Sequence, residues 1–297
     1  MAKRKQAADD AASDAGSDSD VSLVDVDFDF CSPNPDIDYH ALKKLLVQLF
    51  QGDAEALHLE ELTELILSQG NVGTTIKTDG EEGDPYAILT AINMHTHRDH
   101  PSMKALTEYF VQKASGTPGM QDSLSALLRG DAQVGLVLCE RLINMPVQVI
   151  PHMYRMLVEE LKVAVDGNQP YNFSHLLIPS RTYHLTMEEE QALSARPARK
   201  TKASGSKAKK VKTPAQQAAV EMTRPADGIY SFHPEDEVIA RAAAYTADYA
   251  FSKKKGDLEQ EEKRDKESFG LDTRGRLMLV SAERFVDMVK EMGERYC

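Results

Sequence analysis

VSLVDVDFDFCSPNPDIDYHALKKLLVQLF, residues 21–50, carries the reading on which the fold turns. Val24, Asp25, Val26, Asp27, Phe28, Asp29 and Phe30 alternate apolar with acidic side chains, the period of two expected of a strand with one buried face. Pro33 and Pro35 then restrict the residues before them and mark a turn. Beyond the turn Tyr39, Leu42, Leu45, Leu46 and Leu49 recur at helical spacing. A strand followed by a helix folding back over it is the first unit of an α/β domain. Val24, Val26, Phe28 and Phe30 should anchor the strand, leaving Asp25, Asp27 and Asp29 on its other face.

The same alternation of elements continues outward. A helix is expected over 54–68, with Leu57, Leu62, Leu65 and Ile66 as its stripe and Gly70 just past its end. Residues 71–94, NVGTTIKTDGEEGDPYAILTAINM, read as a hairpin with its connection at 79–83. Helices over 102–113 and 121–129 come next, then an apolar strand, 134–144, that suits the centre of a sheet. A long helix extends to Gly167, and FSHLLIPSRTYHL (173–185) is a strand whose Pro179 implies a bulge or an edge position. Residues 233–251 mix alanine with Val, Ile, Tyr and Phe and fit either a helix or a strand. Residues 253–266 are charged and loop-like, 276–280 form a strand, and Ser281 is placed to cap a last helix. The sum is a mixed α/β (α+β) fold, a single mixed sheet flanked by helices.

Charge divides the 297 residues further. Residues 1–20 are polar and charged enough to be a disordered acidic tail. Ser17 and Ser22 each precede an aspartate by three positions, a pattern suited to an acidophilic kinase. Between 9 and 38 there are ten aspartates and no lysine or arginine. Residues 188–220 read as a flexible basic insertion, so one domain is built from 21–187 and 221–297. Within the insertion Lys207, Lys209, Lys210 and Lys212 resemble a nuclear import signal of the kind that lies extended in an acidic groove. A net charge of −12 with one basic strip argues against nucleic acid as a direct partner and favours a basic protein. No apolar run is long enough to cross a bilayer, so no membrane partner is expected. Three distant cysteines, Cys31, Cys139 and Cys297, support neither a zinc cluster nor a disulfide framework.

Catalytic patterns are sparse. His95, His97 and His100, with Asp99 among them, are the densest potential metal ligands, and His95 and His97 would share one face of a strand. The same residues suit a polar strand-to-helix connection better, because no second ligand cluster accompanies them. No GxSxG elbow and no phosphate-cradling GxGxxG or GxxxxGK[ST] loop occurs. QGNVGTT (69–75) leads into a strand and not a helix N-terminus, the wrong context for phosphate. Neither a cofactor nor catalysis is expected. Acidic groups available to a partner are Asp25, Asp27, Asp29, Glu81, Glu82, Asp84, Glu235, Asp236 and Glu237.

VDVDFDFCSPNPDIDYHALKKLLVQLF (24–50), the 71–94 hairpin, GLVLCERLINMPVQVIPHMYRMLVEEL (135–161) and FHPEDEVIARAA (232–243) are together similar to the BCCIP family, which includes the fungal Bcp-type proteins. That resemblance implies a nuclear, shuttling protein that binds other proteins. Fungal members are linked to nuclear export and to escorting a large-subunit ribosomal protein of the uL-fourteen class. Animal members are linked to a tumour suppressor of homologous recombination and to a cyclin-dependent kinase inhibitor. Import and export receptors and other nuclear clients are therefore implied as partners. The implied fold is like that of GNAT acetyltransferases, yet no acyl-CoA loop of the Q/RxxGxG/A type is present. An active acyltransferase and a metal-dependent protein using His95, His97 and His100 are the competing classes.

Overall fold

The computed structural model describes residues 27–190, 225–252 and 272–297. Expectations for the 1–20 tail, Ser17, Ser22, Val24, Asp25, Val26, 253–266 and the import-signal lysines Lys207, Lys209, Lys210 and Lys212 lie outside the described residues. The strands are β1 (Asp29–Cys31), β2 (Thr74–Lys77), β3 (Ala87–Asn93), β4 (Val134–Arg141), β5 (His175–His184), β6 (Ile229–Ser231), β7 (Tyr245–Ala250) and β8 (Asp272–Ser281). They form one mixed sheet in the order β1-β2-β3-β4-β5-β8-β7, with β6 also paired to β5.

The helices are α1 (Tyr39–Phe50), α2 (Leu59–Ser68), α3 (Pro101–Lys113), α4 (Met120–Arg129), α5 (Ile150–Asp166), α6 (Asp236–Ala242) and α7 (Ala282–Tyr296). They cover both faces of the sheet because alternate strand residues need apolar cover on each side. Ile88, Ile92, Leu136, Leu138, Leu177, Leu277 and Leu279 share one core with the apolar stripes of α1 to α4. Leu89, Ala91, Val137, Leu176, Ile178, Met278 and Val280 share the other with α5, α6 and α7. Covered on both faces, β3 is buried at every position, which explains why it reads as a continuous apolar run.

Three local expectations change. Among the described residues the opening strand comprises Asp29–Cys31 at the sheet margin, paired with β2, and Asp27 and Phe28 lie outside it. Phe28 still packs on the α5-side core, but Phe30 is 36% exposed and meets the His152 ring edge-on, because an edge strand has cover on one side only. Pro179, expected at a bulge or edge, lies in β5 opposite Leu277 of β8. The ladder from β4 has ended at Leu177, so on that side the proline has no N–H bond to miss. Residues 233–251 are both things in turn: α6, then β7, divided at Ala243 and Ala244.

Every strand pair is antiparallel except β4–β5, which runs parallel over only Val134–Leu136 and His175–Leu177. Past that point β4 stays with β3 and β5 stays with β8, so the sheet parts along its middle. β6 takes the vacated side of β5 at Thr182–His184.

Candidate functional site

Where the sheet parts, charge fills the space. Glu140 and Arg141 end β4, Ser180 and Arg181 lie on β5, and the segment from Phe232 to Asp236 enters between them from β6. The Phe232 N–H donates to the Arg181 carbonyl at 3.2 Å, continuing the β5–β6 contact into the gap. Arg181 donates to both Glu140 oxygens, Nε at 2.8 Å and Nη2 at 3.0 Å, and its guanidinium lies 4.6 Å over the Phe232 ring. His233 Nε2 is 3.1 Å from Glu140, and Gln48 of α1 donates to the same carboxylate at 3.0 Å. Arg141 forks onto Glu235 with two bonds, and the Ser180 hydroxyl donates to Asp236 at 2.5 Å.

Three carboxylates therefore face two guanidiniums, and His233 supplies the third positive charge when protonated. Burial opposes ionisation of Glu140, but Arg181 and His233 outweigh it and hold the carboxyl well below the usual carboxylate range. Burial alone would lower His233, yet Glu140 raises it. Asp236 is pushed up to about 6 by burial, against the attraction of His233. Both bidentate pairs, Arg181 with Glu140 and Arg141 with Glu235, are therefore matched inside the protein.

Two of the acids expected to greet a partner are thus in the wrong place for it. Glu235 is 2% exposed and Asp236 3%, both consumed by the gap. They are buried because α6 starts here and its first turn turns inward towards β5. Glu237, one residue on, is exposed and paired with Arg295 at 2.7 Å.

The remaining acids do gather. Asp27 and Asp29 are exposed at the start of β1, and Asp29 stands opposite Lys77 at the end of β2. The β2–β3 connection follows directly, with Glu81, Glu82 and Asp84 all exposed. None of these three enters an ion pair within the described residues. The loop is nevertheless fixed. Lys77, itself buried, donates to the Glu81 carbonyl at 2.6 Å and to Asp38 at 2.7 Å, while the Gly83 N–H returns to the Gly80 carbonyl. Asp38 also accepts the Asn34 N–H at 2.8 Å, so one buried ion pair ties the turn before α1 to the acidic loop.

His95 and His97 do not share a strand face. β3 ends at Asn93, whose side-chain oxygen accepts the N–H groups of His95 and Thr96 and turns the chain. Burial, with His100 beside it, lowers the His97 imidazole. Among the described residues no group of three His, Cys, Asp or Glu side chains could hold a metal ion. Cys139 points into packed surroundings on β4, where burial raises its thiol.

Sequence reasoning missed the buried charges Asp38, Lys77, Glu140, Arg141 and Arg181, all within 9% exposure. The available signal was a charge at the end of an apolar run: Lys77 closes TTIK and Glu140-Arg141 closes VGLVLC.

The BCCIP family model matches residues 23–239. The chain belongs to the BCCIP family. It is similar to the protein bcp1 of Emericella nidulans, 42% identical over 307 residues spanning 99% of this chain and 98% of the relative. It is likewise similar to bcp1 of Schizosaccharomyces pombe, 40% identical over 93% of this chain and 92% of the relative. Among solved structures it matches the crystal structure of BCP1 from Saccharomyces cerevisiae, with a TM-score of 0.59 and 25% identity over 94% of this chain and 93% of that one. Segments that carried the BCCIP resemblance in sequence meet in space, since 135–161 supplies Glu140 and Arg141 and 232–243 supplies His233, Glu235 and Asp236.

Proposed function

We propose that this protein is a non-catalytic escort for a basic ribosomal protein of the large subunit, of the uL-fourteen class, moving between nucleus and cytoplasm with import and export receptors. The observation that carries this reading is the separation of its acids into two sets. Those in the sheet gap are neutralised and buried, whereas Asp29, Glu81, Glu82 and Asp84 are exposed at one end of the sheet. Unpaired surface acids on a fixed loop raise the encounter rate of a basic client and compete with RNA for its basic surface. The body of the fold does not need them, so they are free for that use.

The association rate with the purified ribosomal protein should fall steeply as salt is raised. A rate insensitive to salt, or failure of one ribosomal protein to co-purify stoichiometrically, would overturn the reading. For entry into the nucleus, Lys207, Lys209, Lys210 and Lys212 supply the import signal. Replacing them by alanine in a fluorescent fusion should leave the protein cytoplasmic, and an unchanged nuclear signal would place the address elsewhere.

The acyltransferase reading draws on one observation, the parting of the parallel strands β4 and β5. The space so made is occupied by Glu140, Arg181 and His233. Stoichiometric heat on titrating acetyl-CoA would revive that reading, and none is expected.

A further inference from the structure

We propose that Leu142, Ile143 and Val47 form the apolar anchor site of the acidic surface, and that its occupant is a lysine-rich segment carrying an aliphatic side chain. The proposal rests on the escort reading for its natural client, and it adds what charge alone does not give, a reason for one basic segment to be held longer than another. Large apolar side chains left in water are ordinary when scattered and informative when grouped.

Here they are grouped beside the acids. Leu142 is 36% exposed, Ile143 73% and Val47 43%. Leu142 extends the β3–β4 ladder by one step, donating its N–H to the Tyr86 carbonyl at 2.9 Å. Tyr86 is two residues after Asp84, so Ile143 stands at the tip of a turn next to the acidic loop. That turn is closed by the Met145 N–H on the Leu142 carbonyl at 3.1 Å. Val47 precedes Gln48, whose side chain donates to the Arg141 carbonyl at 2.8 Å and brings α1 to the same place.

Both halves of the surface are rigid before anything binds. Glu81 is held through its own carbonyl by buried Lys77, and Leu142 through its N–H by the ladder. Preorganisation of this kind lowers the cost of ordering on association. Charge complementarity selects the occupant: Leu142 bonds to Tyr86, two residues from Asp84 on the loop that also carries the exposed Glu81 and Glu82, so the flanking residues of the partner must be basic. Lysine stems can lie along the apolar surface while their ammonium groups reach the carboxylates. A neutral apolar peptide would leave those acids desolvated and unpaired.

The test compares two synthetic peptides, one lysine-rich with a central leucine and one with glycine in its place, against the full-length protein by calorimetry. The leucine peptide should bind about 10-fold more tightly, and Ile143→Asp should abolish the difference. Replacing Glu81, Glu82 and Asp84 by their amides should weaken both peptides alike and flatten their salt dependence. Ile143→Ala, with an unchanged melting temperature, guards against a folding defect. Equal binding of the two peptides, or a preference that survives Ile143→Asp, would overturn the proposal. So would a wild-type dimer in sedimentation that Ile143→Asp converts to monomer, since the tip would then belong to self-association. The two readings fail separately. If the ribosomal protein does not bind while the leucine preference persists, the escort reading falls and the anchor stands; if it binds wild type and Ile143→Asp equally, the reverse holds.

Discussion

Two sets of acidic side chains in this molecule have the same chemistry and opposite fates. Glu140, Glu235 and Asp236 lie in the gap between β4 and β5, each with a buried partner. Glu81, Glu82 and Asp84 lie on the β2–β3 loop in water, with no counter-ion in the described fold. The difference teaches that an acid's role is decided by what stands opposite it. A carboxylate at the end of a central strand must be matched before the sheet can close over it, while one on a loop can wait for another molecule.

Removing a partner from the buried set should have the largest effect. Glu140→Ala strands Arg181 and His233 together, and a loss of about 3–5 kcal/mol in denaturant unfolding is expected. A loss under about 1 kcal/mol would mean that water already reaches the gap. The pair Lys77–Asp38 offers the same experiment beneath the loop: Lys77→Met alone should cost a similar amount, and adding Asp38→Asn should restore much of it.

Asp236→Asn should act the other way. The carboxyl is raised to about 6, so the folded state holds its proton more tightly than the unfolded chain, and stability falls as pH climbs from about 4 through 6. His233 is raised as well, so its contribution is complete below about 6.5 and fades as pH rises through its higher folded value. Despite burial, Arg141 and Arg276 are held charged by Glu235 and Asp248, and Glu140 stays ionised through this range. An amide at 236 keeps an acceptor for Ser180 and removes the surplus negative charge. Melting temperature between pH 5 and 8 should therefore slope downward in the wild type and less so in Asp236→Asn. Equal slopes would assign the proton to other groups.

A smaller and purely steric effect is expected at Gly275 of β8. A Cβ there would come within 2.2 Å of the Tyr249 ring carbon, and that ring also packs edge-on to Tyr109. Gly275→Ala should cost about 1–3 kcal/mol in thermal unfolding by forcing Tyr249 from its place. Smallest of all is the exposed set. Replacing Glu81, Glu82 and Asp84 by their amides should change stability by no more than about 0.5 kcal/mol, whereas association with a basic client at low salt should slow about 10-fold. If the loop variant instead lost stability, the contrast between the two sets would collapse.

Much of the fold was legible because its signals are local. Leu42, Leu45, Leu46 and Leu49 keep helical spacing and are buried in α1, and the hairpin of β2 and β3 announces itself through its glycine-rich connection. That Asp27 and Phe28 stand outside β1 was not legible, since alternation says which face a strand residue takes and not how many neighbours it finds. The buried charges were hidden for a related reason. Glu140, Arg181 and His233 come from three separate stretches, and none reads as buried without the others beside it. FHPED looked like a surface acid run; its fate depended on a gap between two strands that no local pattern describes.

The pairing of β6 with β5 has an entropic consequence. His184 stands opposite Ile229, and the Leu185 N–H meets the Gly228 carbonyl at 3.0 Å, so the two strand ends are held side by side. A connection between ends held together in this way grows more costly only logarithmically with its length, by about 0.6 kcal/mol per doubling. The fold is therefore nearly indifferent to how long that connection is. A reporter domain spliced between those ends should leave the rest of the protein folded.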